Sequence, residues 1–429
     1  MSSPSGILDV AVIGAGSRGA THLDTITALT DRFRLVGVCD AREERRAWAK
    51  ETYGASTFDN PLTLLDHTKP HAVAVVIPPD AHHLITAAAA ARGVHVLCET
   101  PMASTRAMCD AMISAAQRHG VVLEISENVW RFSQERLKRL AVEAGLIGTV
   151  QQVHLWYRSG SYHGMSALRR FITARPTRIL GLTREVPVAP YKDLDGAVRR
   201  RQSWELGAID FGDSGANGSM RQFAVYQLPV GSDRGNLWEV VGDRGALMGT
   251  DLIVFDGPDG ARRRVQMETI TDETSDGKKV LAALRYAPGQ GLPTVEWENP
   301  HRRYGTPGSD DVARADIYTA LHDAITSGAP PTPMTDGWPE TPPTDARFYG
   351  PQNARADLEL LMALRESAAR GNAWLELPLT RGEDTTFERR LHDEFEGAYG
   401  APPFSDPEAL LAKLFPRRGL ATAIGNVIA

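Results

Sequence analysis

The sequence predicts an α/β first half, a doubly wound parallel sheet, followed by an α+β second half built on a large, open, mostly antiparallel sheet. Three observations carry this. From Leu8 to about Asn128, continuous apolar runs alternate with segments of three- and four-residue apolar spacing. The first of those runs ends in a glycine-rich turn. Beyond about Ala144, apolar and polar residues alternate instead, as on a sheet with one buried face. A chain of 429 residues is long enough for two cores, and the division is placed at 1–128 and 129–429.

In the first half the strand candidates are Leu8 to Gly14, Phe33 to Asp40, His71 to Pro78, Val94 to Glu99 and Val121 to Ser126. They are apolar throughout, as strands covered on both faces are. Helix candidates between them include Arg45 to Tyr53, Ala81 to Arg92 and Ser104 to His119. Gly54, Gly93 and Gly120 follow these helices, where a left-handed residue closes the last turn.

The turn after the first strand is Gly14-Ala15-Gly16-Ser17-Arg18-Gly19, a GxGxxG between strand and helix. Glycine serves the tight turn at Gly14, the approach of phosphates to the backbone at Gly16, and close helix–strand packing at Gly19. Ser17 and Arg18 open the helix, whose N-terminus attracts a pyrophosphate. The second strand ends at Asp40, 21 residues beyond Gly19, where a carboxylate accepts hydrogen bonds from ribose hydroxyls. Together these features define a Rossmann domain binding NAD(H). The carboxylate would repel a 2′-phosphate, so NAD(H) is favoured over NADP(H), although Arg42 stands close enough to soften the preference. The same glycines would also serve a plain βαβ turn, and Asp40 a helix cap.

The second half opens with a helix candidate, Glu135 to Ala144, and then strand candidates Thr149 to Tyr157, Arg221 to Leu228, Asn236 to Val241 and Leu247 to Phe255. Gly242-Asp243-Arg244-Gly245 reads as a hairpin loop. Helices return at Asp311 to Ser327 and Ala354 to Arg370, separated by a proline-rich surface loop from Ala329 to Asp345. The tail from Thr385 to Ala429 has helical patches.

A net charge of −6 gives no sequence-wide attraction to nucleic acid or anionic membrane. Arg199-Arg200-Arg201 and Arg262-Arg263-Arg264 read as solvated loops. No apolar run approaches the about 20 residues that cross a bilayer, and the N-terminus lacks the pattern of a signal peptide. Cys39, Cys98 and Cys109 form no metal-binding set, and no metal is expected; a reducing, cytoplasmic compartment fits. An open sheet face is commonly covered by association, which predicts a homo-oligomer, a dimer or tetramer.

Four further segments carry a resemblance. Ile77-Pro78-Pro79-Asp80-Ala81-His82 follows the third strand, and Cys98-Glu99-Thr100-Pro101 the fourth. Glu127-Asn128-Val129-Trp130-Arg131-Phe132 and Gly145-Leu146-Ile147-Gly148 come next. In this order they resemble the Gfo/Idh/MocA oxidoreductases. The resemblance implies that Pro78, Pro79, His82, Glu99, Thr100 and Asn128 lie along the cofactor, with a carbohydrate-like small molecule as substrate. The family's lysine is replaced here by Thr100, and its helical Asp and His positions fall on Ser159 and His163. Tyr162-His163 and the E-T-P turn are closer to the NAD-dependent glycosidases of the superfamily, which oxidise a sugar transiently, eliminate the substituent and restore the cofactor.

The resemblance implies His163 as base, with Tyr162 supplying a hydrogen bond and Thr100 orienting a hydroxyl. Histidine suits that task because its ordinary pKa lies near neutrality. It would equally serve at the start of a helix from Ser166 to Ile172. Trp130, Arg131 and Arg169 are the further candidates for contact with substrate. Three functions stay open: a dehydrogenase or reductase of a sugar, glycoside or cyclitol, an NAD-assisted glycoside hydrolase or lyase, and a non-catalytic NAD-binding protein.

Overall fold

A computed structural model describes residues 6–157, 162–172, 174–192, 198–211, 222–227, 237–256, 261–274, 277–330, 332–335, 337–340 and 345–414. The first half carries strands β1 (Leu8–Ile13), β2 (Phe33–Cys39), β3 (Thr57–Phe58), β4 (Ala72–Val75), β5 (His95–Cys98) and β6 (Leu123–Ile125). They form one parallel sheet in the order β3-β2-β1-β4-β5-β6. Helices α1 (Ser17–Ala28), α2 (Glu43–Tyr53), α3 (Pro61–Thr68), α4 (His82–Ala91) and α5 (Arg106–His119) connect them. Strand β3 is too short to leave a period in the sequence. Gly54 and Gly120 close α2 and α5 in the left-handed conformation. Gly93, just past α4, has the same hand.

A 3₁₀ turn, Val129–Arg131, and α6 (Ser133–Glu143) lead out of this domain. The second sheet comprises β7 (Val150–Tyr157), β8 (Arg178–Lys192), β9 (Val198–Asp210), β10 (Gln222–Gln227), β11 (Leu237–Gly242), β12 (Gly245–Met248), β13 (Asp251–Asp256) and β14 (Ala261–Val265). Helix α7 (Tyr162–Arg169) lies between β7 and β8. With the late strand β20 (Leu375–Glu376) they make a nine-stranded sheet, β14-β13-β12-β11-β7-β10-β9-β8-β20. It is antiparallel apart from the β7–β10 pair. The hairpin at Asp243-Arg244 stands where the sequence put it.

Three readings are corrected here. Leu247 to Phe255 is two strands, because Gly249 turns the chain with φ of +62°. Arg199 to Arg201 lie in β9 and Arg262 to Arg264 in β14, so both basic runs are strand and not loop. The helix expected from Ser166 starts at Tyr162 and ends at Arg169.

A smaller sheet of β15 (Glu268–Glu273), β16 (Lys279–Tyr286) and β17 (Val295–Glu298) packs on α6. Helix α8 (Ser309–Ser327) lies against α1. A two-stranded hairpin, β18 (Met334–Thr335) with β19 (Trp338–Pro339), occupies the proline-rich stretch. Helix α9 (Pro351–Ala369) underlies the large sheet along β8. There Gly181 admits its backbone and Gly207 the Leu364 side chain: a Cβ at Gly181 would stand 1.9 Å from the Leu364 carbonyl oxygen.

The chain ends by returning to the first domain. Helix α10 (Thr386–Tyr399) opens on a capping box, Thr385 with Glu388, and α11 (Pro407–Leu414) packs on α4. Glu388, fully buried, accepts from the Arg106 backbone N–H at 2.7 Å and pairs with its guanidinium at 2.9 Å. Burial alone would raise the Glu388 pKa, but Arg106 and backbone donors hold it below the ordinary value. The pair therefore stabilises fully above the ordinary carboxylate pKa and loses that contribution as acidification protonates Glu388. Glu388→Ala strands the Arg106 charge, and a loss of about 3–5 kcal/mol is expected in urea unfolding at neutral pH. A midpoint equal to that of the wild type would contradict the pairing.

Candidate functional site

The first turn of α1 is built by two glycines that the protein itself requires and one that it does not. Gly14 has φ of +102°, and a Cβ there would meet the Val76 carbonyl oxygen at 2.0 Å. A Cβ at Gly19 would meet the Gly14 carbonyl oxygen at 2.1 Å. At Gly16 the closest atom is Arg42 Nη2 at 3.6 Å, so the fold leaves room for a side chain. Gly16 is the N-cap of α1 and brings no side-chain cap, which leaves first-turn amides facing outward beside the exposed Ser17. A pyrophosphate fits this open cradle and explains a glycine that packing does not.

Asp40 stands at the end of β2, 8% exposed. Its carboxylate accepts from the Ala15 N–H at 2.8 Å and the Arg42 N–H at 2.9 Å, and pairs with the Arg42 guanidinium at 3.2 Å. Burial pushes its pKa up, and these donors more than reverse the shift, so the carboxylate is ionised and fixed in direction.

At the far end of the sheet Glu99 is the hub. Its Oε1 accepts from Arg18 Nε at 2.6 Å and lies 2.8 Å from His22 Nε2, while Oε2 accepts from the Thr100 N–H at 2.7 Å. The Thr100 hydroxyl points to the same oxygen at 3.2 Å, which commits its proton and leaves its lone pairs to accept from a ligand. Burial opposes the Glu99 charge, but Arg18 and His22 hold its pKa far below the ordinary value. His22 is itself pushed down by burial, hence neutral, with Nδ1 2.9 Å from the Tyr318 hydroxyl of α8.

His163 sits in the first turn of α7 with its side chain 30% exposed. Its Nδ1 lies 3.8 Å from Oε2 of Glu127, a carboxylate with no exposure, in the segment leaving β6. Burial lowers the His163 pKa, but Glu127 and then Glu99 outweigh it and the pKa is raised. Glu127 opens one of the segments quoted from the sequence but was given no role there, because nothing within either segment signals a pairing across 36 positions.

The remaining candidates take other places. Pro78 is half-buried and Pro79 buried in the turn before α4. His82 is fully buried, with Nε2 2.7 Å from the Ile77 carbonyl and Nδ1 3.1 Å from that of Met102, so it ties two turns together and does not face a cofactor. Asn128 donates to Asp310 of α8 at 2.7 Å. Tyr162 is 1% exposed, edge-on to His163, and burial lifts its hydroxyl pKa well above the ordinary value, which removes it as a proton acceptor near neutrality.

Trp130, Arg131 and Arg169 are also corrected. Arg131 is 1% exposed and bridges Glu124 at 2.7 Å and Asp316 at 3.0 Å. Trp130 packs beneath the guanidinium of Arg170 at 3.8 Å. Arg169, 5% exposed, pairs with Asp357 of α9 at 2.7 Å. All three belong to the junction between the domains, where burying a charge demands a partner. Ser159 lies outside the described residues. Among the described residues no three His, Cys, Asp or Glu side chains converge as a metal site, and no helix is long and apolar enough to cross a membrane.

The fold and this turn define a dinucleotide-binding Rossmann protein carrying a large open-sheet domain. Residues 8–127 match the model of the oxidoreductase family with an NAD-binding Rossmann fold, GFO_IDH_MocA, and over that stretch the chain is similar to that family. An inositol 2-dehydrogenase of Saccharopolyspora erythraea is 32% identical over 157 residues, 36% of this chain and 46% of the relative. A glycosyl hydrolase family 109 protein of Solibacter usitatus is 26% identical over 262 residues, 54% of this chain and 55% of its own. The chain thus spans about half the length of the curated relatives it matches. The crystal structure of GenD2 from gentamicin A biosynthesis, in complex with NAD, superposes with a TM-score of 0.58 at 22% identity, covering 87% of this chain and 97% of the other.

Proposed function

We propose that the protein is an NAD(H)-dependent oxidoreductase acting on a carbinol or ketone of a sugar, glycoside or cyclitol, with His163 as its proton-transfer group. The observation that carries this is a part-exposed histidine whose Nδ1 lies 3.8 Å from the buried Glu127 carboxylate, with Glu99 also among the charges that raise its pKa. The turn from Gly14 to Gly19 would hold the pyrophosphate and Asp40 the adenosine ribose, and NAD bound there supplies the hydride acceptor. His163 Nδ1 faces Glu127 at 3.8 Å, and Nε2 is proposed as the atom that takes the proton of the substrate hydroxyl. Thr100 accepts a hydrogen bond from substrate and orients it. The ionised Asp40 supports NAD(H) over NADP(H), because a 2′-phosphate would meet a fixed negative charge.

A second reading has its own support. Thr100 stands where the family's lysine would be, and the family 109 glycosyl hydrolase is matched over a longer stretch than the inositol dehydrogenase. Redox-neutral cleavage of a glycoside is that reading. The purified protein is incubated with sugars, cyclitols and aryl glycosides, with NAD and NADP in parallel, while NADH absorbance and aglycone release are followed. Net NADH supports the first reading and aglycone without net NADH the second. Absence of both sinks each of them.

The assembly is proposed to be a homo-oligomer formed across the open face of the nine-stranded sheet. Met248 and Phe255, each 40% exposed on neighbouring strands, support this. Light scattering is expected to give a multiple of 46.7 kDa, and a monomer would end the proposal. Three buried, unpaired cysteines support a reducing, cytoplasmic location.

A further inference from the structure

We infer that Glu127 is the positioning residue of the catalytic histidine: its buried carboxylate, held by the backbone of the domain junction, fixes the His163 ring and stabilises its protonated form. The inference rests on the proposed role of His163 and adds to it the group that orients the ring.

The argument begins with the carboxylate. Glu127 has no exposure, and its Oε1 accepts from the Val129 N–H at 3.1 Å, the first amide of the 3₁₀ turn. That single bond is a cap, which a glutamine would serve equally well. The second oxygen, Oε2, is buried and accepts no hydrogen bond within 3.5 Å among the described residues. The group it faces is His163 Nδ1, at 3.8 Å. A buried carboxylate without a compensating charge is costly, so the charge at this position is explained by what lies across from it.

The neighbouring charges are already committed. Glu99 also faces His163 but is bound to Arg18 at 2.6 Å. Asp357, from α9 behind α7, is bound to Arg169 at 2.7 Å. Tyr162, on the same helix, keeps its proton. Arg18 opposes the His163 charge from the cofactor side. Glu127 directs its carboxylate oxygen at the ring from 3.8 Å.

The consequence is a link between domains. Glu127 leaves β6 of the nucleotide-binding sheet and His163 belongs to the second domain, so a relative shift of the two changes the position and strength of the base together. An Nδ1–H directed at Glu127 also sets the tautomer in which Nε2 carries the lone pair.

Glu127→Gln keeps the volume and the cap to Val129 and removes only the charge. The full-length protein, without cofactor or substrate, is titrated by NMR of its histidine side-chain nitrogens, with His163→Asn assigning the resonance. The wild-type His163 is expected to titrate above the ordinary histidine value, and Glu127→Gln to bring it down by about 1 pH unit. The acid limb of kcat/KM for oxidation should move down by the same amount, with NAD(H) affinity and unfolding midpoint unchanged. Glu127→Asp should restore part of the shift, which a packing role would not do. A wild-type value at or below the ordinary one overturns the inference even if no variant folds, as does an unmoved value in folded Glu127→Gln. Should His163 respond as expected while no sugar, cyclitol or glycoside is turned over, the pairing stands and the oxidoreductase reading falls.

Discussion

On the proposed oxidoreductase function, turnover of a sugar or cyclitol is expected to fall by about 10²–10⁴-fold in His163→Ala, the range that positioned acid–base catalysis supplies. Affinity for NAD(H) should not change, because His163 lies on α7 and the nucleotide cradle on α1. The pH dependence has a definite sign. Oxidation requires the neutral ring, so kcat/KM rises with pH through the raised His163 pKa, above the ordinary value of about 6.5. Reduction requires the protonated ring and shows the mirror image. Single-turnover rates in both directions test this, and an alanine variant as fast as the wild type would remove His163 from the chemistry.

The second large effect separates folding from binding at two glycines two residues apart. Gly14→Ala places a Cβ 2.0 Å from a backbone oxygen in a backbone conformation that L-residues rarely adopt. A loss of about 3 kcal/mol or more in unfolding free energy is expected, together with the loss of NAD(H) binding. Gly16→Ala meets only the end of a flexible arginine at 3.6 Å, so its stability should match the wild type. Its methyl group occupies the space a pyrophosphate needs, and NAD(H) affinity should fall by at least about tenfold, near 1.4 kcal/mol. Urea unfolding and fluorescence titration with NADH measure the two quantities. Equal NADH affinity in Gly16→Ala and the wild type would refute the cradle.

The nucleotide-binding domain was legible because its strands are covered on both faces. Continuous apolar runs such as Ala72 to Val75, closed by glycines past each helix, leave one arrangement. The long β8–β9 hairpin left no such trace. Around Thr183 to Pro187 and Val198 to Arg201 both faces meet solvent, so no alternation marks the strands, and the arginines read as loop. Trp130, Arg131 and Arg169 misled for a related reason: a charge or an indole near a cleft suggests ligand contact until its partners are known, and Glu124, Asp316 and Asp357 come from distant segments. The glycine turn and Asp40 belong to one local unit and were found together. Glu127 and His163 meet only through the packing of two domains, which no local spacing encodes. The capping box Thr385-x-x-Glu388 is a local signal for the helical patch at its position, but its buried partner Arg106 is not.

The return of α10 and α11 to the first domain bears on how the chain is made. Arg106 and Glu388 are separated by 282 residues, so the part of α4 and α5 that α10 and α11 cover stays open until residues 386–414 have been synthesised. At 5–20 residues per second that interval is roughly 15 to 55 s. During it the nascent nucleotide-binding domain exposes an apolar surface that its own residues cannot hide, an opening for chaperones. A fragment ending at residue 128 would remain in that state, and its solubility would depend on whatever binds in place of the last two helices.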